Sequence, residues 1–379
     1  MAVKLALFCF LPVLGVNAQD LPPRVDAVGF PFARNTALGG AHVGLDGDFS
    51  SIFTNPAALV GAAPRKNYAE LAIDIIDIDL ITHMMTTDDP LSEFASLLVD
   101  NFEADLDIGG PLALGAVGSD NRYGYGWGLF NVSRFGLSWN REQMLMISAT
   151  LTEEFTLAGA YGLRLYDGLD AKFDLGITAK TFLRAGYRSS PLFIQQIKYI
   201  LQDLLEMPFE TQLGAGFDIG FRWTLVDSLS FAAVLYDPFS PVWVNQYSEM
   251  GKISAQETIA SGRMSVRPRA SAGVSWKMLS PFWHRYFNDI TLSVDYLGLL
   301  ENLSENPRDP LLNISAGCEI RMLKVFWLRA GFKDMQPAGG IGINFTFMNV
   351  DVSVYRKELG TRPNQYVTWA ASVNISFRD

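Results

Sequence analysis

QYVTWAASVNISF, residues 365–377, sets Val367, Trp369, Ala371, Val373, Ile375 and Phe377 on one side of an extended chain and Thr368, Ser372, Asn374 and Ser376 on the other, because successive strand side chains point to opposite faces. The apolar side is unbroken over about ten residues, the length a tilted strand needs to cross hydrocarbon. The same alternation recurs in QLGAGFDIGFRW (212–223), NDITLSVDY (288–296) and LLNISAGCEIRM (311–322). Aromatic residues gather near the ends of such runs, among them Tyr123, Trp127, Trp276, Trp327 and Phe377, as an interfacial girdle requires. A soluble β-sandwich also alternates, but its strands average about five or six residues. The pattern therefore predicts an all-β fold, a transmembrane antiparallel β-barrel.

Fifteen runs of this kind lie between residues 68 and 377. A barrel with both ends on one side of the membrane needs an even number. The weakest break is Glu153-Glu154, between runs 143–152 and 155–165, where no Gly, Pro or Asn is present to turn the chain. Merging these two leaves about 14 strands, with 82–104, 185–211, 238–266 and 299–310 as extracellular loops and short turns on the other side.

Ahead of the barrel, Met1 to Ala18 reads as a signal peptide: Lys4, an apolar run from Leu5 to Val16, and cleavage near Ala18. The run is about twelve residues, short of the roughly twenty a spanning helix needs. The expected division is 1–18 signal peptide, 19–67 an N-terminal plug or hatch, and 68–379 the barrel. Losing Lys4 takes 30 basic residues to 29 against 40 acidic ones, a formal charge of −11, which argues against nucleic acid as a partner. Cys9 leaves with the signal and Cys318 is then alone, so no disulfide is expected.

Chemistry of the catalytic kind finds no support. His42, His83 and His284 are scattered, which offers neither a metal cluster nor a serine triad. LGGAHVG, 38–44, lacks the Lys-Ser/Thr of a phosphate loop. No enzyme activity, cofactor or metal is expected.

The stretch ALGGAHVGLDGDFSSIFTNPAAL, 37–59, is neither a strand nor a good helix. With its Leu38-Gly39-Gly40-Ala41, its acids Asp46 and Asp48, and Asn55-Pro56-Ala57-Ala58-Leu59 before fourteen strands, the chain resembles the FadL family of outer-membrane channels for long-chain fatty acids and other hydrophobic compounds. The resemblance implies a plug inside the lumen that contains Gly39, Gly40, Asp46, Asp48, Asn55, Pro56 and Ala57. It implies the outer membrane of a diderm bacterium, and outer-membrane lipid and the barrel-assembly machinery as partners of a monomer. The implied activity is capture of a hydrophobic ligand such as a long-chain fatty acid at the extracellular loops, transfer to a lumenal pocket, and plug-gated or lateral release. FadL-like barrels also include protein secretion or assembly components, which stands as the alternative.

Three sets of site residues follow. Gly124, Gly126 and Gly128 strip one face of the third strand of side chains, which marks either the lateral opening the resemblance implies or close packing against the plug. PLFIQQIKYILQDLLEM, 191–207, is the best amphipathic helix, with Phe193, Ile197, Leu201 and Leu204 on its stripe, and SEFASLLVDNF, 92–102, is a weaker second. These are candidates for a substrate groove or for loop cores over the barrel mouth. Six bases share the polar phase of their strands, Lys180, Arg222, Lys277, Arg321, Arg329 and Lys333. A carboxylate carried into a lumen without a cation would cost several kcal/mol. Arg222 and Arg321 are the candidates for holding it, since an arginine can grip a carboxylate with two bonds.

Overall fold

A computed structural model describes residues 24–25, 30, 32–62, 65–76, 78, 105–139, 146–188, 192–193, 208–249, 252, 257–278, 287–301, 307–364 and 367–379. The last strand shows how the alternation is used. Trp369, Val373 and Phe377 are exposed, while Ala370, Ser372, Asn374 and Ser376 between them are buried. The apolar face thus points out and the small polar face points in.

The strands are β1 (Lys66–Ile76), β2 (Asp105–Ser119), β3 (Tyr123–Trp139), β4 (Met146–Asp167), β5 (Ala171–Arg188), β6 (Phe209–Leu225), β7 (Leu229–Tyr236), β8 (Pro241–Tyr247), β9 (Thr258–Val266), β10 (Arg269–Met278), β11 (Phe287–Tyr296), β12 (Ile314–Met322), β13 (Phe326–Lys333), β14 (Gln336–Asn344), β15 (Met348–Glu358) and β16 (Val367–Arg378). Fourteen of them close an antiparallel ring, with β16 paired to β1 from Arg378↔Tyr68 to Ala370↔Ile76. The two runs on either side of Glu153-Glu154 are one strand of 22 residues, β4, paired to β3 straight through both acids.

Leu71, Ile73, Leu112, Leu114, Trp127, Leu129, Phe155, Leu157, Ile177, Leu213, Trp276, Val294, Leu328 and Ile341 all stand exposed on the outside. An apolar surface that runs right round the ring suits hydrocarbon rather than water. No helix among the described residues is long and apolar enough to cross a membrane.

One end of the ring carries the connections 120–122, 168–170, 226–228, 279–286, 323–325 and 345–347 together with the C-terminus; we call it the turn end. The other, the loop end, carries most of the longer connections, and its shortest joins β13 to β14. At Asp334 and Met335 two residues with φ of 55° and 61° join β13 to β14, the left-handed pair that a two-residue hairpin requires.

Two expectations are corrected. The loop expected over 238–266 contains a hairpin, β8–β9, which is not part of the ring. β8 pairs with the loop-end half of β6 from Tyr247↔Phe209 to Val242↔Gly214, while β7 pairs with the other half of β6 from Tyr236↔Asp218 to Leu229↔Leu225. β6 thus has a partner on this side along most of its 17 residues. The helix expected at 191–207 does not begin as one: Leu192–Phe193 form a short strand against Met146–Ile147, so Phe193 is extended. Ile197, Leu201, Leu204, the stretch 92–102 and the signal peptide lie outside the described residues.

Candidate functional site

Residues 32–62 have little regular structure: α1 (Ala33–Ala37), α2 (Ser51–Thr54) and a 3-10 turn at Pro56–Gly61. Their backbone groups therefore need partners elsewhere, and the wall supplies them. Thr178 on β5 donates to the Ile52 carbonyl at 2.8 Å, Tyr236 on β7 to that of Thr54 at 2.6 Å, and Ser275 on β10 to that of Gly44 at 2.5 Å. Asp295 on β11 accepts from the amides of His42 at 2.6 Å and Val43 at 2.7 Å. Strands from several points of the ring thus contact one segment.

Asn55 organises the segment itself. It is fully buried, accepts from the Ala57 amide at 3.1 Å, and donates to the Val43 carbonyl at 2.9 Å. Pro56 then starts the 3-10 turn where a missing N–H costs nothing. Gly39, with φ of +63°, turns the chain after α1 with its backbone against that of Phe332, where a Cβ would overlap it.

The wall is cut to match. A Cβ on Gly176 or Gly220 would overlap Pro56, Ala57 or Asn55, and one on Gly331 would overlap the backbone of Leu38 and Gly39. Gly124 and Gly126 face Leu59 and Ile52 in the same way, and Gly128 lies under the rings of Phe49 and Phe130. β3 is paired on both sides through these three glycines. The ladder does lapse nearby: β1 and β2 pair at Leu71↔Leu112 and Asp74↔Gly109 but not between them. Pro111 sits in that gap and has no N–H to give the Ala72 carbonyl.

Charge fastens the segment on one side. Arg34 holds Glu319 through two nitrogens, each at 2.9 Å, and Asp48 at 2.5 Å. Glu319 also accepts from Arg329 at 2.7 Å, and Arg329 reaches on to Asp351. Asp46 pairs with Arg222 at 2.5 Å and lies 3.7 Å from Lys277. Arg222 is thus engaged with the segment, and Arg321 lies 3.4 Å from Asp289. Both face a cavity of about 530 Å³ at the turn end, lined by many charged side chains, several of them in ion pairs.

A second cavity, of about 500 Å³, lies at the loop end. Phe30, Phe53, Phe130 and Phe182 line it, and the Phe30 ring meets Phe130 at 5.1 Å while Phe53 meets Phe130 at 4.5 Å. Of the bases that line it, Lys180 is matched to Asp218 at 2.8 Å and Asp237 at 2.9 Å, Arg184 to Glu154 at 2.8 Å, and Arg308 to Asp334 at 2.7 Å. Arg269 and Lys333 take part in no ion pair among the described residues. Arg269 lies over the Tyr236 ring at 5.3 Å, with its Nε buried and unpartnered. Both cations also bear on His42, whose imidazole burial first and these charges next push down to about 4.

No protein-family model matches the chain, and no curated protein matches it in sequence. Solved structures do. The toluene transporter TbuX of Ralstonia pickettii superposes with a TM-score of 0.53 at 11% identity, over 91% of this chain and 97% of that one. The CymD monoaromatic hydrocarbon channel does so with a TM-score of 0.51 at 14% identity, over 91% and 96%, and the toluene transporter TodX of Pseudomonas putida with 0.50 at 11%, over 94% and 98%. The chain has the fold of the FadL-type channels. In this barrel the expected residues Gly39, Gly40, Asp46, Asp48, Asn55, Pro56 and Ala57 all lie in the segment against the wall. The loop-end aromatics and Arg269 were not foreseen from sequence, although Arg269 shares the inward phase of Lys277 on β10.

Proposed function

We propose that the protein is an outer-membrane channel that takes up a hydrophobic acid, such as a long-chain fatty acid, with residues 32–62 as a plug and the loop end facing outward. The observation that carries this reading is the loop-end cavity, aromatic on its walls yet holding the cations Arg269 and Lys333, which take part in no ion pair among the described residues. An acyl chain gains by leaving water for the phenylalanines. Its carboxylate needs a charge partner to follow, and an arginine or lysine in hydrogen-bonding reach supplies one. This role falls to Arg269 and Lys333 rather than to Arg222 and Arg321, which already hold Asp46 and Asp289.

Release into the wall is supported by the lapse at Pro111 rather than by the glycines of β3. Pro111 stands across from Val132, which lines the loop-end cavity, and the flanking Leu71, Ile73 and Leu112 face outward. One ladder bond fewer makes this the easiest place for β1 and β2 to part. The test compares palmitic acid with its methyl ester on the purified barrel. Arg269→Ala with Lys333→Ala is expected to weaken the acid by about tenfold or more and leave the ester within about twofold. Equal losses for both ligands, or no binding of either to the wild type, would overturn the reading.

A further inference from the structure

The two cavities share a single lining residue among those described, Phe32. Its position follows from the chain. Phe32 is extended, with φ of −87° and ψ of 116°, and caps α1, its carbonyl accepting from the amides of Asn35 at 2.9 Å and Thr36 at 3.1 Å. That first turn sends Arg34 to the turn-end cavity and Asn35 and Thr36 to the loop-end one. Phe32 stands between them, only 6% exposed, its ring 4.5 Å from that of Phe30 and tilted by 39°.

We propose that Phe32 is the partition of the channel, the side chain that seals one cavity from the other and turns aside to join them. The chemistry of the two sides explains why an aromatic ring stands here. The turn-end cavity is walled by charged side chains, so water and small ions have reason to enter it. A phenyl ring offers them no hydrogen bond, whereas it costs an apolar body little to slide past one. Arg34, two residues on, is tied to Glu319 and Asp48, so α1 stays in place when the ring changes rotamer. The gate is then a side-chain motion, and the plug does not need to leave the barrel. None of this depends on which ligand the loop-end cavity takes.

Ion conductance of the full-length protein in planar lipid bilayers tests the partition, with KCl as the probe. Phe32→Ala is expected to raise conductance over wild type by at least about tenfold, because the ions then keep their water across the boundary. Phe32→Leu is expected to stay sealed, and Phe30→Ala, whose ring lines the loop-end cavity alone, to stay sealed as well. A folded Phe32→Ala barrel that conducts no better than wild type overturns the proposal, as does an equal rise in Phe30→Ala. If Phe32→Ala does not fold, Phe32→Cys in a Cys318→Ser background reads the same point with a charged thiol reagent. Reaction from both sides of the bilayer is expected; reaction from one side only overturns the proposal.

Discussion

The two ends of the lumen are lined by the same strands, yet one is aromatic with cations left over and the other is polar, with many of its charges in ion pairs. Strand alternation puts mostly small and polar residues inward, with Phe130 and Phe182 the wall's aromatic contribution at the loop end, so the wall alone would give a largely polar lumen. The difference comes largely from residues 30–62. Toward the loop end they present Phe30 and Phe53, whose rings meet Phe130, with Phe32 against Phe30 and Phe182 lining the same cavity. Toward the turn end they present Arg34, Asp46 and Asp48, which meet Glu319 and Arg222. The lesson is that the wall sets the diameter and the inner segment sets what each end will hold.

The strongest way to break this division is at Glu319, the buried acid between Arg34 and Arg329. Glu319→Ala leaves two cations facing each other and is expected to destabilise the barrel by about 3–5 kcal/mol, read as a loss of heat resistance on gels. Unchanged resistance would mean that the turn end does not rely on its charge pairing. Gly176→Ala comes next. Its Cβ would press on the backbone at Pro56 and Ala57, and overpacking of this kind costs about 1–3 kcal/mol. Faster proteolysis within residues 32–62 of the folded barrel is the expected readout, and a protected segment would show that the lane cut for it is wider than the contacts suggest.

A third change works in the stabilising direction. Pro111→Ala supplies the missing N–H to the Ala72 carbonyl and is expected to add about 0.5–1.5 kcal/mol. If ligand leaves between β1 and β2, the same variant releases it more slowly; more stability with unaltered release would place the exit elsewhere. The smallest effect concerns His42, which is held near 4 against an ordinary 6.5 by burial and by Lys333 and Arg269, with the Gly40 carbonyl and Asp48 opposing. A base whose folded value is depressed contributes stability fully above about pH 6.5, and that contribution is lost as pH falls toward about 4. The melting temperature is expected to drop modestly from pH 7 to pH 5, and His42→Gln is expected to flatten that slope.

Much of the ring could be read from one strand, because an apolar face that meets lipid leaves a strict period of two in the residues. The merger across Glu153-Glu154 held for the same reason: the phase runs on although the two acids look like a break. The hairpin β8–β9 left no such mark. Residues 258–263 are exposed on both sides, so nothing constrained their sequence to alternate. The site was legible by residue type and not by partner. Arg222 and Arg321 do face inward, but which acid stands beside each depends on ring neighbours and on the inner segment, distant in sequence by 176 residues for Asp46 and 32 for Asp289. The phenylalanines at 30, 53, 130 and 182 carry no local pattern at all, since it is folding that gathers them.

The seam between β1 and β16 has a kinetic consequence. It joins Tyr68 to Arg378, partners at nearly opposite ends of the chain, and contacts of such sequence separation form late because the long loop must close first. Residues 32–62 are made before any of the wall, and they immediately precede the first strand of the seam. They can settle against β2 to β6 while the sheet is still an open curl, so the final zip encloses a cargo already seated. A chain with this segment moved to its C-terminus would have to thread a finished ring, and we expect it to close empty.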